Sequence, residues 1–126
     1  MKDFDKWNEV KKYIHLKPDN FGVHEREIWW LSLGVNIGVE IDGKHSSFER
    51  PVLVVRKFNR QMVWVLPITS RGKDARFYCK YLFNGREYFV VLTQPRTVST
   101  KRFLRKIGMM PKGDFGRTRQ LLAGFI

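Results

Sequence analysis

Two apolar runs joined by a turn signal decide the fold of this chain: FYCKYLF-NG-REYFVVL, residues 77–92. Asn84-Gly85 stands between the runs, and type I′ hairpin turns prefer Asn-Gly because both central positions need a positive φ. Each run has the length of a strand and is rich in aromatic and β-branched side chains. We therefore predict a β-hairpin with strands at 77–83 and 86–92.

Further strands are predicted on the N-terminal side of this hairpin. Residues 28–33 are apolar on nearly both faces, as in a central strand. Pro51 can begin a strand, since its missing N–H costs little there, and strands at 52–56 and 61–66 flank a turn at Asn59. Short antiparallel strands of this kind close most readily as a small, strongly bent sheet or an SH3-like barrel. The predicted fold class is mainly β (α+β) with a few helices.

Apolar residues recur at helical spacing near the N-terminus and predict a helix over 3–16. Asp3 or Asp5 can cap this helix, and Pro18 ends it. We interpret residues 1–20 as a helical appendage packed on the main domain.

Helices are also predicted near the C-terminus. Ser99 is a good N-cap and Gly108 a good stop for a short helix over 100–107, and a short strand over 107–110 is expected to follow. Asp114 can cap a last helix, whose apolar stripe we assign to the core or to a dimer interface.

The length and composition bound the class of protein. With 126 residues and 43% hydrophobic residues, the chain is expected to form a single domain over 1–126, with the barrel at 22–126. No apolar run reaches the roughly 20 residues that span a membrane, and no signal peptide precedes the domain, so we expect a cytoplasmic protein without a membrane partner. Cys79, the single cysteine, excludes an internal disulfide, and we expect it to pack in the core.

The charge of the chain favours a polyanionic partner. The formal net charge is +12. Residues 21–50 carry three basic and five acidic side chains, whereas residues 95–119 carry eight and one, and residues 56–76 six and one. Two basic segments therefore follow a neutral-to-acidic front part. This pattern indicates nucleic acid or an acidic protein as partner, through neutralisation of phosphates and release of counterions.

Five blocks stand in order along the chain: Arg26-Glu27-Ile28-Trp29-Trp30, Gly38-Val39-Glu40, Arg50-Pro51-Val52-Leu53-Val54, Pro67-Ile68-Thr69-Ser70 and Gln94-Pro95-Arg96. Together they resemble the conserved segments of the MazF/PemK toxins over about residues 25–126. The resemblance implies a small barrel that pairs as a homodimer and cuts single-stranded RNA at short sequences without a metal or cofactor. It also implies that a 2′-OH attacks the adjacent phosphate, leaving 2′,3′-cyclic phosphate and 5′-OH ends, and that a cognate antitoxin blocks the RNA groove.

The chain departs from the family pattern at several positions. Arg26 and Glu27 stand where the family has Gly-Asp. Val91 and Thr93 occupy positions at which the Kid-like branch has an arginine and an aspartate. Only the Arg/Thr pair of the MazF-like branch is therefore transferred, as Arg50 and Thr69.

Arg50 is predicted to hold the scissile phosphate, because a planar guanidinium makes two charge-assisted bonds to an anion. An arginine pKa above about 12 leaves almost no neutral form to act as a base. The structural alternative for Arg50 is an ion pair with Glu49 or Asp42. Thr69 is predicted to donate its hydroxyl to a phosphate oxygen, and Ser70 is a weaker candidate for the same role.

Two side chains of the long polar segment at 34–49 are candidates for proton transfer. His45 would be the easiest proton carrier, although loop histidines are usually just solvated. Glu40 could act as a base or shape the loop. A loop of this length in a small domain is usually functional or mobile.

RNA-binding candidates combine one aromatic ring with several cations. Phe48, in the loop, is predicted to stack on a base, whereas Trp29, Trp30 and Trp64 are expected in the core. The candidate phosphate contacts are Lys44, Arg56, Arg71, Lys73 and Arg76.

Two rival functions stay open. One is a toxin of the same fold that resembles CcdB and binds DNA gyrase without catalysis. Gly124-Phe125-Ile126 resembles the C-terminal motif of that toxin only weakly. The other is a non-catalytic RNA-binding module.

Overall fold

The computed structural model describes residues 2–73 and 76–126. In this part of the chain, seven strands, two α-helices and one 3₁₀ turn follow one another: α1 (Phe4–His15), β1 (Glu27–Ser32), β2 (Glu49–Lys57), β3 (Met62–Thr69), β4 (Tyr78–Phe83), β5 (Arg86–Val91), β6 (Arg96–Ser99), the 3₁₀ turn (Thr100–Arg102), β7 (Phe103–Met109) and α2 (Lys112–Ala123). The strands predicted within 28–92 are confirmed, with bounds shifted by a few residues.

The strands form one antiparallel sheet in the order β4-β5-β3-β2-β1-β7. β3 pairs with β2 along one edge. Along its other edge, the first half of β3 pairs with β6, and Ile68 and Thr69 at its end pair with β5. This division bends the sheet at β3. The predicted bent antiparallel sheet is confirmed. It is not a closed barrel, since no pairing joins β4 to β7 among the described residues.

Alternate side chains of β2 enter two cores on opposite faces of the sheet. Val52 and Val54 pack in one core, and Leu53 and Val55 pack in the other. Burying each such side chain contributes roughly 1.5–3 kcal/mol, and a slip of one residue would exchange the two sets, so the register is strongly specified. Cys79 is buried in the second core, as predicted.

Helix α1 packs on the segment between β1 and β2. Asp3 caps its first turn, as predicted, and Trp7 and Ile14 are its buried residues. The Trp7 ring lies 5.6 Å from the ring of Phe48. Gly34 is required beneath this helix, because it has a φ of 95° and a Cβ there would lie 2.3 Å from the Trp7 ring.

The predicted helix over 100–107 is wrong. Ser99 does act as an N-cap, accepting a hydrogen bond from the main-chain N–H of Lys101 at 3.2 Å, but only for the single 3₁₀ turn. β7 then pairs antiparallel with β1. This pairing satisfies the edge of β1 and buries Phe103 against Trp29, and these tertiary interactions outweigh the local helix signals. The strand expected at 107–110 is the end of β7.

The last helix begins earlier than predicted. α2 starts at Lys112, after Pro111, so Asp114 lies in its first turn and is not the N-cap. Phe115 and Thr118 of its apolar stripe are buried in the protein, whereas other members stay largely exposed. Neither helix in the described part of the chain has the length and apolar character needed to cross a bilayer.

Candidate active site

The ends of β2 and β3 bring Arg50 and Thr69 to one cavity. Val52 pairs with Pro67 across these strands, and extending this register by two residues sets Arg50 opposite Thr69. The cavity has a volume of about 310 Å³ and an open mouth. Its polar lining consists of Lys44, His45, Glu49, Arg50, Thr69 and Ser70.

Two main-chain oxygens orient the side chain of Arg50. Its Nε donates to the oxygen of Asp42 at 2.7 Å, and one terminal nitrogen donates to the oxygen of Ile68 at 3.4 Å. Burial lowers the pKa of Arg50, and the negative charge of Asp42 opposes this shift. No carboxylate within the described ranges lies at ion-pair distance from Arg50, so the alternative of a structural ion pair with Glu49 or Asp42 is not what the structure shows. The remaining N–H groups are available to an anion in the cavity.

Thr69 is the last residue of β3, and its hydroxyl already takes part in one hydrogen bond. Its Oγ1 accepts a hydrogen bond from the main-chain N–H of Arg71 at 3.1 Å, which orders the turn that follows. An accepting hydroxyl keeps its own proton, so Thr69 can still donate to an oxygen in the cavity. Ser70 is exposed beside it.

His45 reaches the cavity from the tip of a tight loop. Lys44 and Glu49 exchange two main-chain hydrogen bonds of 2.8 Å, and the residues between them form the tip. Gly43 allows this loop to close, because a Cβ there would lie 1.6 Å from the main-chain oxygen of Phe48. His45 has a φ of 67° and lines the cavity together with Lys44. The imidazole and the guanidinium of Arg50 therefore share one site.

The loop that carries His45 is held by side chains from beyond β5. Gln94 accepts from the main-chain N–H of Ile41 at 2.7 Å, and a terminal nitrogen of Arg96 donates to the oxygen of Leu33 at 3.0 Å. Arg102 donates to the same oxygen at 3.3 Å. Burial, together with the charge of Arg96, lowers the pKa of Arg102 to about 10. Part of the Gln-Pro-Arg block thus braces this loop.

Glu40 lies outside the cavity. Its carboxylate accepts from the main-chain N–H of Ile37 at 2.9 Å, and its side chain lines a different cavity, beside Gln94 and Arg96. This position corresponds to the loop-shaping alternative for Glu40 and separates it from Arg50.

Phe48 is buried, which corrects its predicted role in base stacking. The side chain is 7% exposed and packs against Trp7, so it offers no free ring face to a base. Trp29 is in the core, as expected, whereas Trp30 is half-buried and lines the cavity. Trp64 is 42% exposed, so the expectation of a core position was wrong for this ring.

The predicted phosphate contacts lie at different distances from the cavity. Lys44 lines it, and Arg71 and Lys73 are exposed just after Ser70. Arg56 is six residues beyond Arg50 on β2, about 20 Å along an extended strand. Arg76 lies over the ring of Phe77, with 4.9 Å between its Cζ and the ring centroid.

The apolar floor of the cavity escaped the sequence analysis. Tyr81 and Tyr88 face each other across the β4–β5 hairpin, with ring centroids 5.9 Å apart. The hairpin register around Asn84-Gly85 could have placed these two rings together. Burial, with a smaller effect of Tyr88, raises the pKa of Tyr81 to about 12.

Arg105 was also missed, because the predicted helix hid its position on β7. Its guanidinium makes two hydrogen bonds to the carboxylate of Glu49, at 3.1 and 3.0 Å, and lies over the ring of Trp30. It thereby neutralises the acidic group that lines the cavity.

The fold and this cavity define a small, basic β-sheet protein whose strand ends present an arginine and two hydroxyls to solvent. The chain belongs to the family of PemK-like and MazF-like toxins of type II toxin–antitoxin systems, whose sequence profile matches residues 24–126. The resemblance found in the sequence is thereby confirmed. Helix α1 lies before the matched residues.

Solved toxin structures share the fold. MazF of Deinococcus radiodurans (Form-I) superposes with a TM-score of 0.68 at 19% identity, covering 84% of this chain and 97% of its own. MazF-mt6 of Mycobacterium tuberculosis gives 0.58 at 16% identity, covering 79% and 94%. A MazE–MazF structure of D. radiodurans (Form-II) gives 0.60 at 16% identity, covering 84% and 96%. No protein of curated function matches the chain significantly.

Proposed function

We propose that this chain is the toxin of a type II toxin–antitoxin system and acts as a sequence-specific, metal-independent endoribonuclease on single-stranded RNA. One observation carries the proposal: Arg50, Thr69, Ser70 and His45 line a single cavity at the ends of β2 and β3. These residue types can supply what cleavage by an internal 2′-OH needs, namely a proton acceptor and groups that stabilise a charged phosphorane.

The proposed step exchanges one P–O bond for another and neither takes up nor releases protons overall. His45 takes the proton of the 2′-OH, and the 2′-oxygen then forms a bond to phosphorus. Arg50 and Thr69 donate to the non-bridging oxygens as charge builds there. The bond from phosphorus to the 5′-oxygen breaks, and this oxygen takes a proton from water at the open mouth. The protonated His45 gives its proton to the hydroxide that this transfer leaves, which restores both the water and the neutral imidazole. The products are a 2′,3′-cyclic phosphate and a 5′-OH end, and no water is consumed.

The path of the RNA past the cavity follows from the distribution of cations. Lys44 lines the cavity, and Arg71 and Lys73 extend the positive surface from Ser70. We assign phosphate contacts on either side of the scissile bond to these three side chains. Arg56 and Arg76 would contact more distant nucleotides.

The proposed partners are a second copy of the chain and a cognate antitoxin. A MazE–MazF structure is among those that share this fold, which supports an antitoxin for this chain as well. The homodimer and the cytoplasmic location stay predictions based on the family.

The test is cleavage of a mixed-sequence RNA by the purified chain in EDTA, with mapping of the new ends. We expect discrete cuts with 5′-OH ends, abolished in Arg50→Ala and weakened in Thr69→Ala. Arg119→Ala is the matched control, since this exposed arginine lies on α2. His45→Ala should remove most activity, whereas Glu40→Ala should retain it.

Two other results would contradict the proposal. Tight binding of intact RNA would indicate a non-catalytic binding module. Intact RNA together with inhibition of DNA gyrase would indicate a toxin that acts as CcdB does.

A further inference from the structure

The floor of the Arg50 cavity is apolar and aromatic, which binding of a phosphate does not require. Trp30, Tyr81, Phe83 and Tyr88 line it, together with aliphatic side chains. Phosphate oxygens gain nothing from such a surface, whereas a planar heterocycle gains from contact with aromatic rings. The volume of about 310 Å³ is at the lower end of the range for small-molecule sites. The cavity therefore fits a polar group at its mouth and a ring on its floor.

Tyr81 carries a polar atom, its hydroxyl, within this aromatic lining. Its side chain is only 6% exposed, and its ring lies beside that of Tyr88. The hydroxyl makes no hydrogen bond within residues 2–73 and 76–126. A polar atom that is closed off from solvent needs a hydrogen-bond partner. Every fully buried side-chain oxygen or nitrogen of these residues has such a partner. The Tyr81 hydroxyl therefore keeps accessible surface, and Tyr81 is one of the residues that line the cavity.

The protonation state of Tyr81 suits recognition of a hydrogen-bond acceptor. Burial holds its pKa at about 12, so the phenol stays neutral at physiological pH. A neutral phenol donates one hydrogen bond and can accept another. An acceptor placed on the aromatic floor would complete the missing bond.

We propose that the aromatic floor is a nucleobase subsite, and that the Tyr81 hydroxyl donates to an exocyclic keto oxygen of the base attached to the scissile phosphate. The inference rests on the proposed RNA substrate and assigns Tyr81 as a residue that determines specificity. A base with a keto oxygen completes this hydrogen bond, whereas adenine has no exocyclic acceptor and offers only ring nitrogens, which lie closer to the ring than a keto oxygen does. Arg50 at the mouth holds the phosphate of the same nucleotide.

Binding of single nucleotides tests this subsite without cleavage. The probes are the 3′-monophosphates of uridine, guanosine, cytidine and adenosine, with inorganic phosphate as reference, measured by calorimetry or by NMR titration. Tyr81→Phe removes only the hydroxyl, and Tyr13→Phe, exposed on α1, is the matched control. Circular dichroism checks that each variant is folded.

We expect at least one nucleotide with a keto oxygen to bind more tightly than both phosphate and the adenosine nucleotide. Loss of one hydrogen bond in Tyr81→Phe should weaken that nucleotide about tenfold and leave phosphate binding unchanged. The subsite is overturned if no nucleotide binds better than phosphate, or if Tyr81→Phe binds all four as the wild type does. RNA that stays intact while Tyr81→Phe still loses base preference would overturn the nuclease and leave the subsite standing.

Discussion

The Nε of Arg50 donates to the main-chain oxygen of Asp42, and the carboxylate of Asp42 lies 3.3 Å from the Nζ of Lys2. Lys2 also donates to the main-chain oxygens of Asn36 and Gly38. A residue before the family-matched segment thus braces the loop that orients the proposed phosphate clamp.

Lys2→Ala should loosen Asp42 and misplace Arg50. Because small displacements of a catalytic group cost much rate, we expect kcat for RNA cleavage to fall about tenfold with KM little changed. The Nε–H of Arg50 should also exchange faster with solvent, which ¹⁵N NMR measures without any cleavage. Lys6→Ala, at an exposed position on α1, is the control, and Lys2→Arg should restore the rate. If the Nε–H of Arg50 exchanged at the wild-type rate in Lys2→Ala, Lys2 would not brace the loop that orients Arg50.

Arg105→Ala should weaken RNA binding although Arg105 need not touch RNA. The variant leaves the Glu49 carboxylate unpaired in the lining of the cavity, where it repels phosphate. We expect weaker binding of an uncleavable, 2′-deoxy-substituted oligonucleotide, measured by fluorescence anisotropy at low salt. Adding Glu49→Gln should restore much of the affinity. A double variant as weak as Arg105→Ala would show that Arg105 itself contacts RNA.

Tyr81 should make the protein sensitive to alkali. Its folded pKa is raised from 10.0 to about 12, so its contribution to stability is present below pH 10 and is lost as the pH rises through 12. Two pKa units correspond to roughly 2.7 kcal/mol. Urea unfolding as a function of pH should show this loss in the wild type, and Tyr81→Phe should lack that part of it. An equal loss of stability in the wild type and in Tyr81→Phe would show that ionisation of Tyr81 is not its cause.

Lys106→Ala should destabilise the start of β1. Burial alone would raise the pKa of Glu27, but bonds from Lys106, Trp29 and the main chain of His24 lower it below its usual value. Removing Lys106 leaves a buried carboxylate without its charged partner, at a cost of roughly 1–3 kcal/mol.

Because the pKa of Glu27 is lowered, the stability that it contributes is lost as the pH falls through the folded value. The difference in unfolding free energy between wild type and Lys106→Ala should therefore shrink in acid. Lys112→Ala, exposed on α2, is the control. A difference that stays constant down to low pH would refute the electrostatic explanation.

Local signals predicted the fold where local and tertiary preferences agree. Asn84 and Gly85 have φ values of 52° and 77°, as the turn requires, and the hairpin around them has the predicted strands. The local signals failed between Ser99 and Gly108, because the helix that they predicted competed with strand pairing to the free edge of β1. Arg105 and the neutralised carboxylate of Glu49 were hidden by that error.

The sequence by itself indicated the family and the candidate pair Arg50 and Thr69, because the blocks that carry the resemblance are local patterns that a linear chain displays. Only the tertiary structure decided which other groups share the cavity. It brought in His45 and Tyr81 and removed Phe48 and Glu40. The physical reason is that burial and main-chain hydrogen bonds between segments far apart in sequence fix where a side chain points.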